Sequence, residues 1–169
     1  MPTVTLTMSQ WNGWLAALGK DFVPAAKRGA VLAAARSVRE MVSATDTAPP
    51  ASPNGKPGAH NTGHYKRSWK SRAEEFGARV FNIAPYSGVI EHGRRKGKFP
   101  PTEPIARWAQ RRMGLTRKEA QGAAFVIARA IARRGLKPRK VMTNLLPKVQ
   151  RFLNEEVRAE LSKALTGKR

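Results

Sequence analysis

Apolar and polar residues alternate over residues 3–7 (TVTLT), the period of a short strand. Ser9 then stands ahead of Trp11, Trp14, Leu15 and Leu18, which share one face of a brief helix that Gly19 would end. A longer helix is predicted over residues 23–44, with Pro24 in its first turn. Its core face would carry Val31, Ala34, Ala35, Val38, Met41 and Val42. Residues 46–63 contain four prolines and three glycines, which predicts a long flexible loop. HYKRSWKSRA and GARVFNIA read as two strands joined by a hairpin across residues 74–77, the second anchored by Val80 to Ile83.

At Pro85 the period lengthens. Tyr86, Val89 and Ile90 have helical spacing, so residues 85–92 predict a short helix, with Gly93 at its C-cap. Thr102 is expected to cap a helix with Ile105, Trp108, Ala109 and Met113 on one face and Gly114 beyond its end. Thr116 and Glu119 form a capping-box pattern. The helix it opens would run to Arg134, with Ala123, Val126, Ile127, Ala130 and Ile131 inward and Gly135 as its stop. A last helix over residues 144–165 carries Leu146, Val149, Leu153, Val157, Leu161 and Leu165 as a stripe, and Glu155, Glu156 and Glu160 make its middle acidic. No internal repeat is visible. The length of 169 residues suits one domain. Within it, residues 1–22 give a strand and short helix, 46–63 the loop, 64–100 the sheet, short helix and a basic loop, and 102–165 a helical C-terminal part.

Composition sharpens this picture. Apolar residues make up 41% of the chain, much of it alanine, so the core should be thin and helix-rich. The absence of cysteine excludes disulfides and thiolate metal sites. No apolar run is long enough for a membrane span, and the first residues lack a signal-peptide pattern. The net charge of +21 favours polyanionic partners. It is uneven: residues 92–140 hold 15 Lys and Arg against Glu103 and Glu119 alone.

Candidate chemistry is sparse. Glu91 and His92 are adjacent, but neighbours on a helix point about 100° apart, so they make a poor acid–base pair. An imidazole at a helix C-terminus is the simpler reading. His60 and His64 lie four apart beside Gly and Pro, with no nearby carboxylate or thiolate to complete a metal site. Catalytic and phosphate-loop motifs are absent, so neither an enzyme nor a cofactor is expected. Arg94, Arg95, Lys96 and Lys98 sit on a loop, Arg107, Arg111 and Arg112 on the exposed side of a helix, and Arg129, Arg133 and Arg134 near the end of the next. A solvated face does not account for so dense a positive block, whereas sequence-independent phosphate contact does. The four tryptophans fit amphipathic core faces better than stacking platforms.

Two segments carry a family resemblance. NTGHYKRSW resembles the P-x-x-T-G-x-L-x-x-S segment of small tail-completion, or neck, proteins of tailed double-stranded DNA bacteriophages, with Thr62, Gly63 and Ser68 in place and Tyr65 where leucine is more usual. NIAPYSGVIEHGRRKG resembles their Y-x-x-x-[VI]-E-x-G segment through Tyr86, Ile90, Glu91 and Gly93. PPTEPIARWAQRRMG is similar to a segment of related tail and morphogenesis proteins. The resemblance spans residues 23–113 in order. It implies an α+β fold, a small antiparallel sheet packed against a long N-terminal helix with additional C-terminal helices, in agreement with the elements above. It also implies a structural virion protein without catalysis. Copies would form a homo-oligomeric ring of six, or of twelve, around the DNA channel of the neck. Its partners would be tail-terminator, tail-tube or connector proteins and packaged DNA, with no membrane, in the virion and, during assembly, the host cytoplasm. Arg94, Arg95, Lys96, Lys98, Arg111 and Arg112 would face DNA, the lumen or a partner. Thr62, Gly63, Tyr65, Ser68, Tyr86, Ile90, Glu91 and Gly93 would define the fold or interface, with Glu91 paired to an arginine of its own or a neighbouring subunit. The alternatives are a dedicated sequence-independent nucleic-acid-binding protein and, more remotely, a metal nuclease using His60, His64, Glu91 and His92.

Overall fold

The computed structural model describes residues 8–51, 55–59, 61–75 and 77–166. In order these form helix α1 (Met8–Thr47), the helical turn α2 (His64–Arg67), strands β1 (Trp69–Glu74) and β2 (Gly77–Asn82), and helices α3 (Ser87–His92), α4 (Thr102–Met113), α5 (Arg117–Arg134) and α6 (Val141–Thr166). The fold is α+β: β1 and β2 form an antiparallel hairpin packed against the long N-terminal helix, accompanied by C-terminal helices. The strand expected at residues 3–7 and His60 lie outside the described residues.

Two compact units divide the chain. The first takes α1 up to Glu40, the hairpin from Lys70 to Phe81, and α6 from Leu145. Ala30, Ala33, Ala34 and Ser37 of α1 share a small groove with Ala78 and Val80 of β2 and Val149 of α6. Small residues let these backbones approach closely. A Cβ added at Gly29 would lie 2.6 Å from Val157 Cα and 2.9 Å from the Glu156 carbonyl oxygen. Phe152 of α6 supplies the large buried side chain, 2% exposed. The Arg36 guanidinium lies 3.9 Å from its ring centroid and reaches Glu155 (2.8 Å) and Glu156 (3.2 Å). Glu160, almost fully buried, accepts from Arg28 (3.2 Å) and Lys163 (2.6 Å). Those two hydrogen bonds, Lys163 first, hold its carboxyl below the ordinary value. The acidic middle of α6 thus answers the arginines of α1.

The second unit comprises Met41–Trp69 and Asn82–Asn144. Here α4 and α5 form a helical hairpin whose seam is alanine: Ala106 and Ala109 against Ala120 and Ala124, flanked by Ile105, Leu115 and Ala123. Thr116 and Glu119 make the reciprocal capping box that starts α5. Gly114, at φ 67°, ends α4, and the Gly135 N–H donates to Ile131 O at the end of α5.

Several expectations are corrected. A single helix covers residues 8–47: Gly19 does not end it, and Pro24 lies inside it. Pro24 cannot donate to the Lys20 carbonyl, but both residues are exposed and alanine-rich flanks carry the helix through. The buried positions of α1 step by four, Ala25, Gly29, Ala33, Ser37, Met41 and Thr45, while Val31 is exposed. Residues 64–67 form a helical turn and not a strand, because Tyr65 and Trp69 meet at the i,i+4 spacing with ring centroids 5.5 Å apart. Thr102 is the first helical residue of α4 and makes no side-chain cap. Trp108 and Met113 are exposed, and Ala106 takes their place in the seam. On α5 the inward line is Ala120, Ala124 and Ala128; Val126 and Ala130 face solvent. On α6, which starts at Val141, Phe152 is buried and Leu146, Leu153 and Leu165 are exposed. In α4 and α5 alanine wins the core because close backbone approach leaves no room for a larger side chain, whereas on α6 the large Phe152 fills it.

Candidate functional site

The two segments that carry the resemblance converge in the second unit. The turn at 62–68 starts from Gly63, whose φ of 75° is left-handed, with the Thr62 carbonyl accepting from Arg67 (3.1 Å). Ser68 is buried, its hydroxyl donating to the His64 carbonyl at 2.6 Å and its own carbonyl accepting from Ile83 N at 3.0 Å. Asn82 Nδ2 donates to the Tyr65 carbonyl (2.9 Å). Trp69 Nε1 donates to Thr45 Oγ1 (3.1 Å), which itself donates to Met41 O, so the buried threonine is fully engaged. The Tyr86 hydroxyl lies 3.2 Å from His64 Nδ1, and its ring is tilted against Tyr65 at 6.4 Å. Burial, then the Glu91 carboxylate and Tyr86, push the Tyr65 hydroxyl far above its ordinary value, so it stays a donor.

Glu91 has a role the sequence did not disclose. Its carboxylate accepts from the backbone N–H of Met142 (2.9 Å) and of Thr143 (2.8 Å) and from the Thr143 hydroxyl (2.7 Å). It thus caps the first turn of α6, and the expected arginine partner is replaced by this cap. Burial alone would raise its carboxyl; the Thr143 hydroxyl and the two amides together outweigh that and hold it below the ordinary 4.5. A depressed folded value means the stabilisation is complete above the unfolded value and fades as pH falls through the lower folded one. Glu91→Gln should therefore cost about 1 kcal/mol at pH 7, by the scale of cap losses. The gap to the wild type should close below about pH 4. Urea unfolding at pH 7 and at pH 3 measures it; an undiminished gap at pH 3 would contradict the cap.

The basic loop is less free than its sequence suggests. Arg94 and Leu136 exchange both backbone hydrogen bonds (3.0 and 2.8 Å), and Gly97 N donates to Ala132 O at 2.7 Å. Arg94 is half-buried, its Nε sealed from solvent without a hydrogen-bond partner, while Nη2 donates to the Lys98 carbonyl. Arg95, Lys96 and Lys98 remain exposed. The described part of loop 46–63 is also tied down: Gly58 N donates to Ala48 O and Ala59 N to Thr45 O. Arg139 crosses it, donating to the carbonyls of Pro49 (2.9 Å) and Gly58 (2.7 Å).

Between the turn, α3 and α4 lies an open cleft of about 760 Å3. Thr62, Tyr65, Tyr86, Ile90 and Arg111, all singled out in the sequence, line it. Ser68 and Glu91 make the bonds described above, and Gly63 and Gly93 turn the chain with left-handed φ of 75° and 74°. Arg112 ties α4 to Asn61 (3.0 Å). Trp108 and Arg139 also line the cleft, and sequence reasoning missed both as site residues. Trp108 had a legible signal in its neighbours Arg107 and Arg111; Arg139 had none, since its partners lie 81 and 90 residues away. Among the described residues, no three His, Asp or Glu side chains gather as a metal-holding group, and no helix is long and apolar enough to cross a membrane. No family model, curated protein or solved structure matches the chain.

Proposed function

We propose that this chain is a structural protein of the neck or tail end of a tailed double-stranded DNA bacteriophage. It would form a homo-oligomeric ring that completes the tail and helps join it to the head around the DNA channel. The observation that carries the reading is the contact between its two resemblance segments. The turn that carries Thr62, Gly63, Tyr65 and Ser68 meets Tyr86 and the chain leading to it through the Asn82–Tyr65, Ile83–Ser68 and His64–Tyr86 contacts. Glu91 then caps the start of α6, and Gly93 ends α3 immediately before Arg94, which pairs with Leu136. Residues scattered over some thirty positions thus form one local framework, as expected of a motif that defines a fold. The positive block of residues 92–140 suits a subunit set beside DNA or acidic neighbouring rings. Partners would be tail-terminator, tail-tube or connector proteins.

The expected result in light scattering and electron microscopy is a closed ring, of six copies or else twelve, or attachment to tails or heads. A stable monomer that ignores both would sink the reading. A second reading, sequence-independent nucleic-acid binding as the protein's main role, is favoured by the exposed Arg95, Lys96, Lys98 and Arg111. A salt titration separates the two. A dedicated binder stays tight near physiological salt and loses affinity steeply above it, whereas incidental contact vanishes by about 0.15 M.

A further inference from the structure

The cleft beside α4 combines three features that the ring reading does not require. First, it presents large aromatic surfaces to solvent: Trp108 is 38% exposed and Tyr86 43%. Tyr86 is held in place by His64 and Tyr65. Second, Arg107 and Arg111 follow each other by one helical turn on the same rim, one on each side of Trp108 in sequence. Among the described residues, Arg107 pairs with the exposed Glu103 and no ion pair involves Arg111. Third, the surrounding chain is strongly positive, so an extended polyanion gains attraction beyond the cleft itself.

Flat rings beside forked cations suit a base and its phosphate. Bases stack on aromatic faces in a sequence-tolerant way, while arginines track the backbone. In a duplex the base faces are already stacked on each other and cannot reach a ring inside a cleft. We propose that this cleft is a binding site for unpaired nucleotides of a single strand, the base lying on Trp108 and Tyr86 and the phosphate on Arg107 and Arg111. An acidic peptide would match the arginines but leave the aromatic faces without a flat partner.

The test uses the full chain and a fluorescein-labelled thymidine oligonucleotide of about a dozen nucleotides, near 0.15 M salt, followed by anisotropy. The wild type should bind it at least about tenfold more tightly than a duplex of equal length. Trp108→Ala should lose about tenfold, and Trp108→Phe, which keeps a ring, should retain most of the affinity. Arg111→Ala should weaken binding and lower the salt slope by about one. Arg133→Ala, which removes one exposed charge from α5, should change affinity less than about threefold. If Trp108→Ala does not fold, Arg111→Ala against Arg133→Ala still decides. The proposal is overturned if the cleft variants match Arg133→Ala, if duplex binds as tightly as single strand, or if poly-glutamate competes as well as the oligonucleotide. Ring formation is read separately, so either idea can fail without the other.

Discussion

Gly93→Ala is expected to lower the thermal midpoint by about 10 °C, corresponding to about 3 kcal/mol for a chain of this size. Two effects add. Gly93 has a φ of 74°, a conformation costly for any residue with a Cβ. A Cβ there would also fall on the Leu136 carbonyl oxygen and within 2.8 Å of Pro138 N. Both obstacles are backbone and cannot swing aside. The clash would open the Arg94–Leu136 bridge and move Glu91, two residues upstream, off the first turn of α6. Gly88→Ala is the control: it is helical with nothing within 4 Å of the new Cβ, so it should be neutral or slightly stabilising. Differential scanning calorimetry of the two variants decides, and a Gly93→Ala midpoint within about 2 °C of the wild type would contradict the account.

Phe152→Ala should cost about 3–5 kcal/mol, the range for removing a buried aromatic ring. Among the described residues of the first unit, the other buried apolar positions are small: Ala25, Ala33 and Ala34, beside Ser37. The loss would also strand Arg36, which stacks over the ring while bonding Glu155 and Glu156. Phe152→Leu should recover about half, since it refills volume but offers no ring face to the guanidinium. Leu146→Ala, at a position 55% exposed, should change stability by less than about 0.5 kcal/mol. Urea unfolding followed by circular dichroism measures all three. Equal losses at positions 146 and 152 would mean that the stripe read from the sequence, and not Phe152, faces the core.

What was legible in the sequence was local. Gly93, Gly114 and Gly135 mark helix ends, and Thr116 with Glu119 opens α5, because each signal involves atoms within a few residues. The hairpin between β1 and β2 was legible for the same reason. Helix faces were not, because apolar bulk is a poor guide where alanine and glycine allow backbones to touch. Ala120, Ala124 and Ala128 displaced Val126 on that ground. The cleft was half legible: Thr62, Tyr65, Tyr86, Ile90 and Arg111 were named, but Trp108 was assigned to a core face and Arg139 passed unnoticed. Glu91 was expected to pair with an arginine because the partners it has within the chain, Met142 and Thr143, are 51 and 52 residues away.

The Arg94–Leu136 bridge has a consequence for how the chain can be rearranged. Its two hydrogen bonds bring together the ends of a segment that contains all of α4 and α5. Residues exchanging both bonds in an antiparallel pair have Cα atoms about 5.5 Å apart. Such a segment is a cassette: its ends already meet, so a tight two-residue turn can replace it without displacing α3 or the start of α6. Exchange or deletion of this cassette would alter the basic, arginine-bearing surface while leaving in the chain both the Glu91 cap and the 62–68 turn.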